Sequence, residues 1–152
     1  MTTTVSSIEE LNKLSGQHLG WSDWHVIDQA QVDLFADATG DHQWIHVDPE
    51  RAATGPFGTT IAHGYLTLSI IPSMLPEVVR VEGFKFGVNY GCNKVRFPSP
   101  VKVGSKLRLG AAVASVEDVG GDGVQAVLDI TIEAEGSEKP SCVAQVVYRY
   151  YW

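Results

Sequence analysis

The chain has 152 residues, of which 44% are hydrophobic and 19% charged, with a formal net charge of −7. A chain of this length fits one domain able to bury roughly 68–70% of its unfolded surface. The acidic balance argues against nucleic acid as the main partner, because phosphate backbones are met by a basic face. No apolar run reaches the roughly 18 residues of a membrane span, so no membrane association is expected. The first residues lack the basic and apolar regions of a secretory signal, and the expected compartment is the cytoplasm. Cys92 and Cys142 have no metal-type spacing and fall in strand-like runs, which predicts buried free thiols.

In chain order, Ser7 to Leu14 reads as a short helix with a capping box formed by Ser7 and Glu10, ended by Gly16. Trp21 to Ile27 alternates as a half-buried strand does. Asp28 caps a second helix, whose apolar positions Val32, Phe35, Ala36 and Thr39 follow helical spacing up to Gly40. Asp41 to Val47 reads as a loop. Asp48-Pro49 then starts a short helix that Gly55-Pro56-Phe57-Gly58 breaks, and Thr59 to His63 is extended.

Gly64 to Leu75 is apolar nearly all round, the pattern of a buried helix, and Pro72 should kink or shorten it. Strands are predicted over Gly83 to Tyr90, Asn93 to Phe97, Lys106 to Val119, Val124 to Ala134 and Pro140 to Tyr151. Gly120 to Gly123 is the hairpin turn between the third and fourth of these. One buried helix followed by long antiparallel strands implies an α+β domain, a strongly twisted sheet wrapped around a central helix.

Chemistry concentrates between Asp41 and Gly64. Asp41 and His46 can share a water and move protons to and from it. Neighbouring Trp44, Ile45 and Phe57 would desolvate both, pushing the aspartate pKa up and the histidine pKa down. Asp48 is explained as a helix cap, and His42 is read as structural or exposed. The unpaired first amides of the helix after His63 can receive an oxygen that becomes negative, and Gly64 lets a substrate come close. His63 has two readings, structural and catalytic.

FADATGDHQWIHVD followed by FGTTIAHGYLTLSIIP resembles the MaoC-like (R)-specific enoyl-CoA hydratases, including the nodulation-protein-N-like branch. The strand pattern around NKVRFPSPVKVGSKL extends the likeness over most of the chain, 1–152 as one domain. The resemblance implies a hot-dog fold and reversible addition of water to trans-2-enoyl-CoA, giving (R)-3-hydroxyacyl-CoA. It implies a hydro-lyase of fatty-acid metabolism with Asp41 and His46 as the catalytic pair and the Gly64 amide on the thioester oxygen. It implies no metal and no cofactor, coenzyme A thioester being the substrate, and a homodimer with the acyl pocket near its interface. Gln43-Trp44 stands where the family has Asn-Pro. Gln43 is therefore an orienting candidate, and Trp44 a residue that would reshape the acyl pocket. A helix serine of some relatives falls near Pro72 here, leaving Thr67 or Ser69 as substitutes.

Further substrate-binding candidates are Phe57 and His63, with Lys94, Arg96 and Lys102 for the phosphates of coenzyme A. The last three belong to a basic concentration completed by Lys106 and Arg108. Three rival readings stand beside this one. They are a 3-hydroxyacyl-thioester dehydratase on acyl-carrier protein, a hot-dog thioesterase, and a non-catalytic acyl-CoA-binding subunit.

Overall fold

A computed structural model describes residues 1–152. The N-terminal part carries β1 (Thr3–Val5), α1 (Ile8–Lys13), β2 (His18–Trp21), β3 (His25–Val26) and α2 (Gln29–Thr39). Then come two single-turn helices, α3 (Trp44–Val47) and α4 (Pro49–Ala52), and the central pair α5 (Gly64–Ser69) and α6 (Ile71–Val78). The strands β4 (Val79–Val81), β5 (Phe86–Arg96), β6 (Lys106–Gly120), β7 (Gly123–Ala134) and β8 (Cys142–Tyr151) complete the chain.

The main sheet is antiparallel in the order β2-β6-β7-β8-β5, with β3 also on β6, while β1 and β4 form a separate parallel pair. Burial alternates along the strands, as expected of a sheet with one covered face. Leu107, Leu109, Ala111 and Val113 of β6, and Val124, Ala126, Leu128, Ile130 and Ile132 of β7, turn inward. Against that face lie α5 and α6, whose Leu66, Ile71, Met74, Leu75 and Val78 enter the same core. This is the hot-dog arrangement expected from the sequence: a helix cradled by a curved antiparallel sheet.

Local signals explain the helix ends. Ser7 accepts from the Glu10 amide, but the returning Glu10 carboxylate takes the Ser6 amide instead of that of Ser7. Asp28 accepts from the Gln31 amide to open α2, and Gly40 closes it at φ 80°. Asp48 accepts from the Arg51 amide, with Pro49 in the first turn of α4, as read from the sequence. In the β6–β7 hairpin Gly121 and Asp122 both have φ 60°, the geometry of a type I′ turn.

Several expectations are corrected. The strand over Trp21–Ile27 is two short strands around a break, each bonded to β6. The predicted Gly83–Tyr90 and Asn93–Phe97 strands are one, β5, carried past Tyr90 and Asn93 by irregular register. The shortening expected from Pro72 is found, the central helix being interrupted at Ile70 so that Pro72 sits in the first turn of α6, where its missing N–H costs nothing. That helix is not buried all round, since Tyr65 is 69% exposed and Pro72 and Pro76 share its open side. Cys142 is buried as expected, but Cys92 is exposed.

Candidate active site

A cleft of about 580 Å³ opens at the start of α5, lined by Phe35, Thr39, Asp41, His46, His63, Gly64, Tyr65 and Phe97. The lining comes from several elements. The end of α2 carries Phe35 and Thr39. The Thr39 hydroxyl faces both the Phe35 carbonyl at 2.8 Å and the Asp41 amide at 3.4 Å. Asp41 follows directly, exposed, and its Oδ1 accepts from the Gln43 amide at 3.3 Å.

His46 is not in a loop but on the single turn α3, and it is buried. Its main chain is clamped by Gln29, whose amide donates to the His46 carbonyl at 2.7 Å while its oxygen accepts from Thr60 at 2.6 Å. Its ring Nδ1 donates to the Ile61 carbonyl at 2.7 Å. That bond fixes the tautomer, leaving Nε2 with a lone pair. Burial holds the imidazole below its ordinary pKa, against the raising effects of the Ile61 carbonyl and Asp41, and the facing His63 adds to the lowering. The shift favours the neutral form, in which Nε2 can accept a proton.

His63 precedes α5. It stacks on His46 with ring centres 3.8 Å apart and planes at 23°, and its Nε2 donates to the Asp41 carbonyl at 2.9 Å. The next residue, Gly64, has an amide that meets no protein acceptor, because the first helical bond runs from Leu66 to His63. A Cβ at position 64 would lie 3.0 Å from the Phe97 ring, so only glycine lets Phe97 close this wall without displacement.

Asp41, His46 and His63 each offer one possible ligand atom, all within 4.8 Å of one another. Two near-parallel stacked imidazoles direct their in-plane lone pairs alongside each other, whereas chelation needs them to converge. One nitrogen of each ring is also committed to a carbonyl. The set suits a hydrogen-bonded water better than a metal ion.

Not every candidate from the sequence reaches the cleft. The Gln43 side chain makes no hydrogen bond and is exposed; its contribution is the main-chain bond to Asp41. Trp44 packs on Gly55 and under the Arg51 guanidinium, 4.4 Å from the ring centre, so it does not shape the cleft. Phe57 is half-buried outside it, and Asp41 is exposed rather than desolvated. His42 turns away to Asp37 at 2.9 Å, as read.

Lys94 and Arg96 flank the inward Val95 and so point to the outer face of the sheet. Lys106 and Arg108 are paired with Glu135 and Glu133. Lys102 alone of the basic group is bonded next to the cleft, opposite Ile61. Thr67 is buried in the core and Ser69 exposed on the helix. Sequence reasoning missed Gln29, Tyr65 and Phe97. The adjacency of Tyr65 to Gly64, and of Phe97 to the strand-ending Pro98, was the available signal.

A second, apolar cavity of about 360 Å³ lies farther along the helix, lined by Pro72, Leu75, Phe84, Tyr148 and Tyr150 among others. A smaller depression beside Leu68, Pro72 and Tyr148 lies between it and the turn of helix that carries Tyr65.

Comparison with known proteins agrees with the geometry. The profile of the MaoC like domain matches residues 10–135. The chain is 55% identical over 147 residues to 3-hydroxyacyl-thioester dehydratase Z of Mycobacterium tuberculosis, covering 97% of each. It is 43% identical over 140 residues to Nodulation protein N of Rhizobium leguminosarum bv. viciae, covering 91% of this chain and 87% of that one. Among solved structures, the unliganded R-hydratase PhaJ1 from Pseudomonas aeruginosa superposes with a TM-score of 0.71 at 25% identity, over 95% of this chain and 85% of that one.

Proposed function

The chain belongs to the MaoC-like dehydratase family, and on that footing we propose that it is an (R)-specific enoyl-CoA hydratase. It adds water reversibly to trans-2-enoyl-CoA to give (R)-3-hydroxyacyl-CoA. Hydration of the enoyl thioester and dehydration of the 3-hydroxyacyl thioester are one reaction in two directions. The relative named as a 3-hydroxyacyl-thioester dehydratase therefore supports the same chemistry. The observation that carries the reading is the buried His46, tautomer-fixed by Ile61, in one cleft with the Asp41 carboxylate and the free Gly64 amide.

In the mechanism the thioester oxygen accepts from Gly64 N–H, and a water sits between Asp41 and His46. The Asp41 carboxylate accepts a hydrogen bond from one O–H group of that water and holds it in place. The water oxygen bonds to the β-carbon while its other proton passes to His46 Nε2. The electron pair of the double bond moves through the α-carbon onto the thioester oxygen, and the Gly64 amide stabilises that enolate. Such a donor is worth about 3–4 kcal/mol in comparable sites. When the enolate collapses, the α-carbon takes the proton from His46, and one water has been added to one face.

The acyl chain runs from Gly64 along the open side of α5 and α6, past Tyr65, Leu68 and Pro72, into the cavity around Leu75 and Tyr148. Gly64 to Pro76 spans at most roughly 18 Å at the helical rise, within the reach of a long acyl group. The phosphates lie on the Lys102 side of the cleft. The net charge of −7 favours coenzyme A over a carrier protein, whose docking needs a basic patch.

The protein acts as a homodimer joined through β5. This edge strand of 11 residues is exposed along nearly its whole length, with Phe86 54%, Val88 41% and Tyr90 58% exposed. A long apolar edge of this kind is a template for another strand, and a second copy supplies one.

The test is hydration of short, medium and long enoyl-CoAs with chiral analysis of the product. Wild type should give the (R) alcohol, and Asp41→Asn should lose about 10²–10⁴ in rate while staying folded. An (S) product, thiol release in place of hydration, or near-normal turnover by the Asn variant would each overturn the reading.

A further inference from the structure

We propose that His63 is a positioning residue for the reaction, locking the Asp41 main chain and the His46 ring into one rigid unit beside Gly64. The inference rests on the functional reading above and assigns a role within that site.

Three contacts meet on this one imidazole. Its Nε2 holds the carbonyl of Asp41 at 2.9 Å. One face stacks on His46 at 3.8 Å between centres. Phe35 of α2 contacts the same ring at 4.9 Å, tilted by 56°. Ordinary packing would account for an aromatic residue here. It does not account for a histidine, because the residue is 3% exposed and its other ring nitrogen, Nδ1, is buried with no hydrogen-bond partner. A buried lone pair without a donor costs about 1–3 kcal/mol, a cost phenylalanine would avoid. What phenylalanine lacks is the donor to Asp41.

The location explains why that donor matters. Asp41 is exposed and follows the Gly40 helix end, so its own side chain has little to hold it. Its main chain is fixed through the 3.4 Å approach of Thr39 on the amide side and through His63 on the carbonyl side. His63 is also joined covalently to Gly64. One residue thus sets the carboxylate, the imidazole and the oxyanion amide relative to each other. It does not itself touch the reacting atoms: one nitrogen is spent on a carbonyl and the other is buried.

Two variants separate its two duties. His63→Phe keeps the stacked ring and removes the donor. His63→Gln places an amide N–H where Nε2 was and removes the ring stack. Both are compared with wild type for kcat, KM, pH profile and thermal unfolding on the full chain.

We expect His63→Phe to lower kcat about tenfold or more, since misplacement by an ångström costs up to roughly 10²-fold, with KM little changed. His63→Gln should recover part of that loss. The acid limb of the profile reports His46, which faces Asp41, the Ile61 carbonyl and His63. With the facing imidazole gone it should move to higher pH in His63→Phe. Unchanged kcat and acid limb in a folded His63→Phe protein would overturn the proposal, as would losses in both variants that merely track unfolding. Asp41→Asn run in parallel keeps the two readings apart. If it remains active, the site assignment itself fails; if it is dead while His63→Phe is normal, only the present inference fails.

Discussion

His46 Nδ1 and the Ile61 carbonyl oxygen are 2.7 Å apart, and the Ile45 carbonyl accepts from the Ile61 amide at 3.0 Å. The turn carrying the imidazole and the strand behind it are thereby bonded twice. The ring cannot swing without breaking the extended segment that leads into α5.

The first prediction concerns pH. Burial lowers the His46 pKa below its ordinary value of 6.5. With neutral His46 as the proposed base, activity should be present at pH 7 and lost as pH falls through the lowered value. The acid limb of kcat against pH should therefore lie below 6.5. In a folded protein, a limb above that value would show that another group controls the rate.

Adding a methyl group at Gly64 tests the wall of the oxyanion position. A Cβ there meets the Phe97 ring at 3.0 Å. Gly64→Ala should cost about 1–3 kcal/mol of stability, as overpacking does, and lower kcat. Phe97→Leu in the same chain should return much of the stability. Denaturant unfolding of the single and double variants gives the answer, and a fully stable Gly64→Ala protein would mean that the wall yields freely.

Chain-length selection should reside in the second cavity. Leu75→Trp fills space lined by Leu75 and Tyr148. The expected result is a loss of kcat/KM of about tenfold or more for long enoyl-CoAs, on the scale of pocket methylene discrimination, with crotonyl-CoA little affected. Equal losses on short and long substrates would place the acyl chain elsewhere.

If the proposed dimer forms through β5, Val88→Lys with Tyr90→Lys should weaken it. Both are exposed on an edge strand, and the contact given up within one chain is the Tyr90 ring beneath the Arg149 guanidinium, 3.7 Å from its centre, so thermal unfolding of the variant is measured alongside. Light scattering after gel filtration should give dimeric wild type and monomeric variant. A monomeric wild type would remove the premise.

Exhaustive chelation should leave turnover unchanged, because the stacked geometry of His46 and His63 opposes joint coordination. Activity that falls on dialysis against a chelator and returns with one added divalent ion would contradict this.

Much of the site was legible in the chain because its determinants are local. Asp28, Gly40 and Asp48 signal helix ends within a few residues of themselves, and those ends set the spacing of Asp41, His46 and Gly64. The hairpin at Gly121-Asp122 was readable for the same reason. What escaped was decided at long range. The β1–β4 pair joins residues 76 apart, as Thr3 and Val79 are, through short segments with no periodicity to read. Gln29 reaches His46 and Thr60 from the start of α2, a contact no sequence spacing announces. The direction of Lys94 and Arg96 depends on which face of β5 turns inward, and two register shifts obscure that alternation.

Trp44 occupies the interval between Asp41 and His46, the proposed proton-handling pair, yet spends its ring on Gly55 and Arg51. The interval therefore transmits distance and direction through its main chain alone. Its side chains are free to diverge, answerable to the folding of a single helical turn and not to the reaction. A lineage can rewrite Gln43-Trp44 without rewriting its chemistry, as long as the turn still delivers His46 to Ile61.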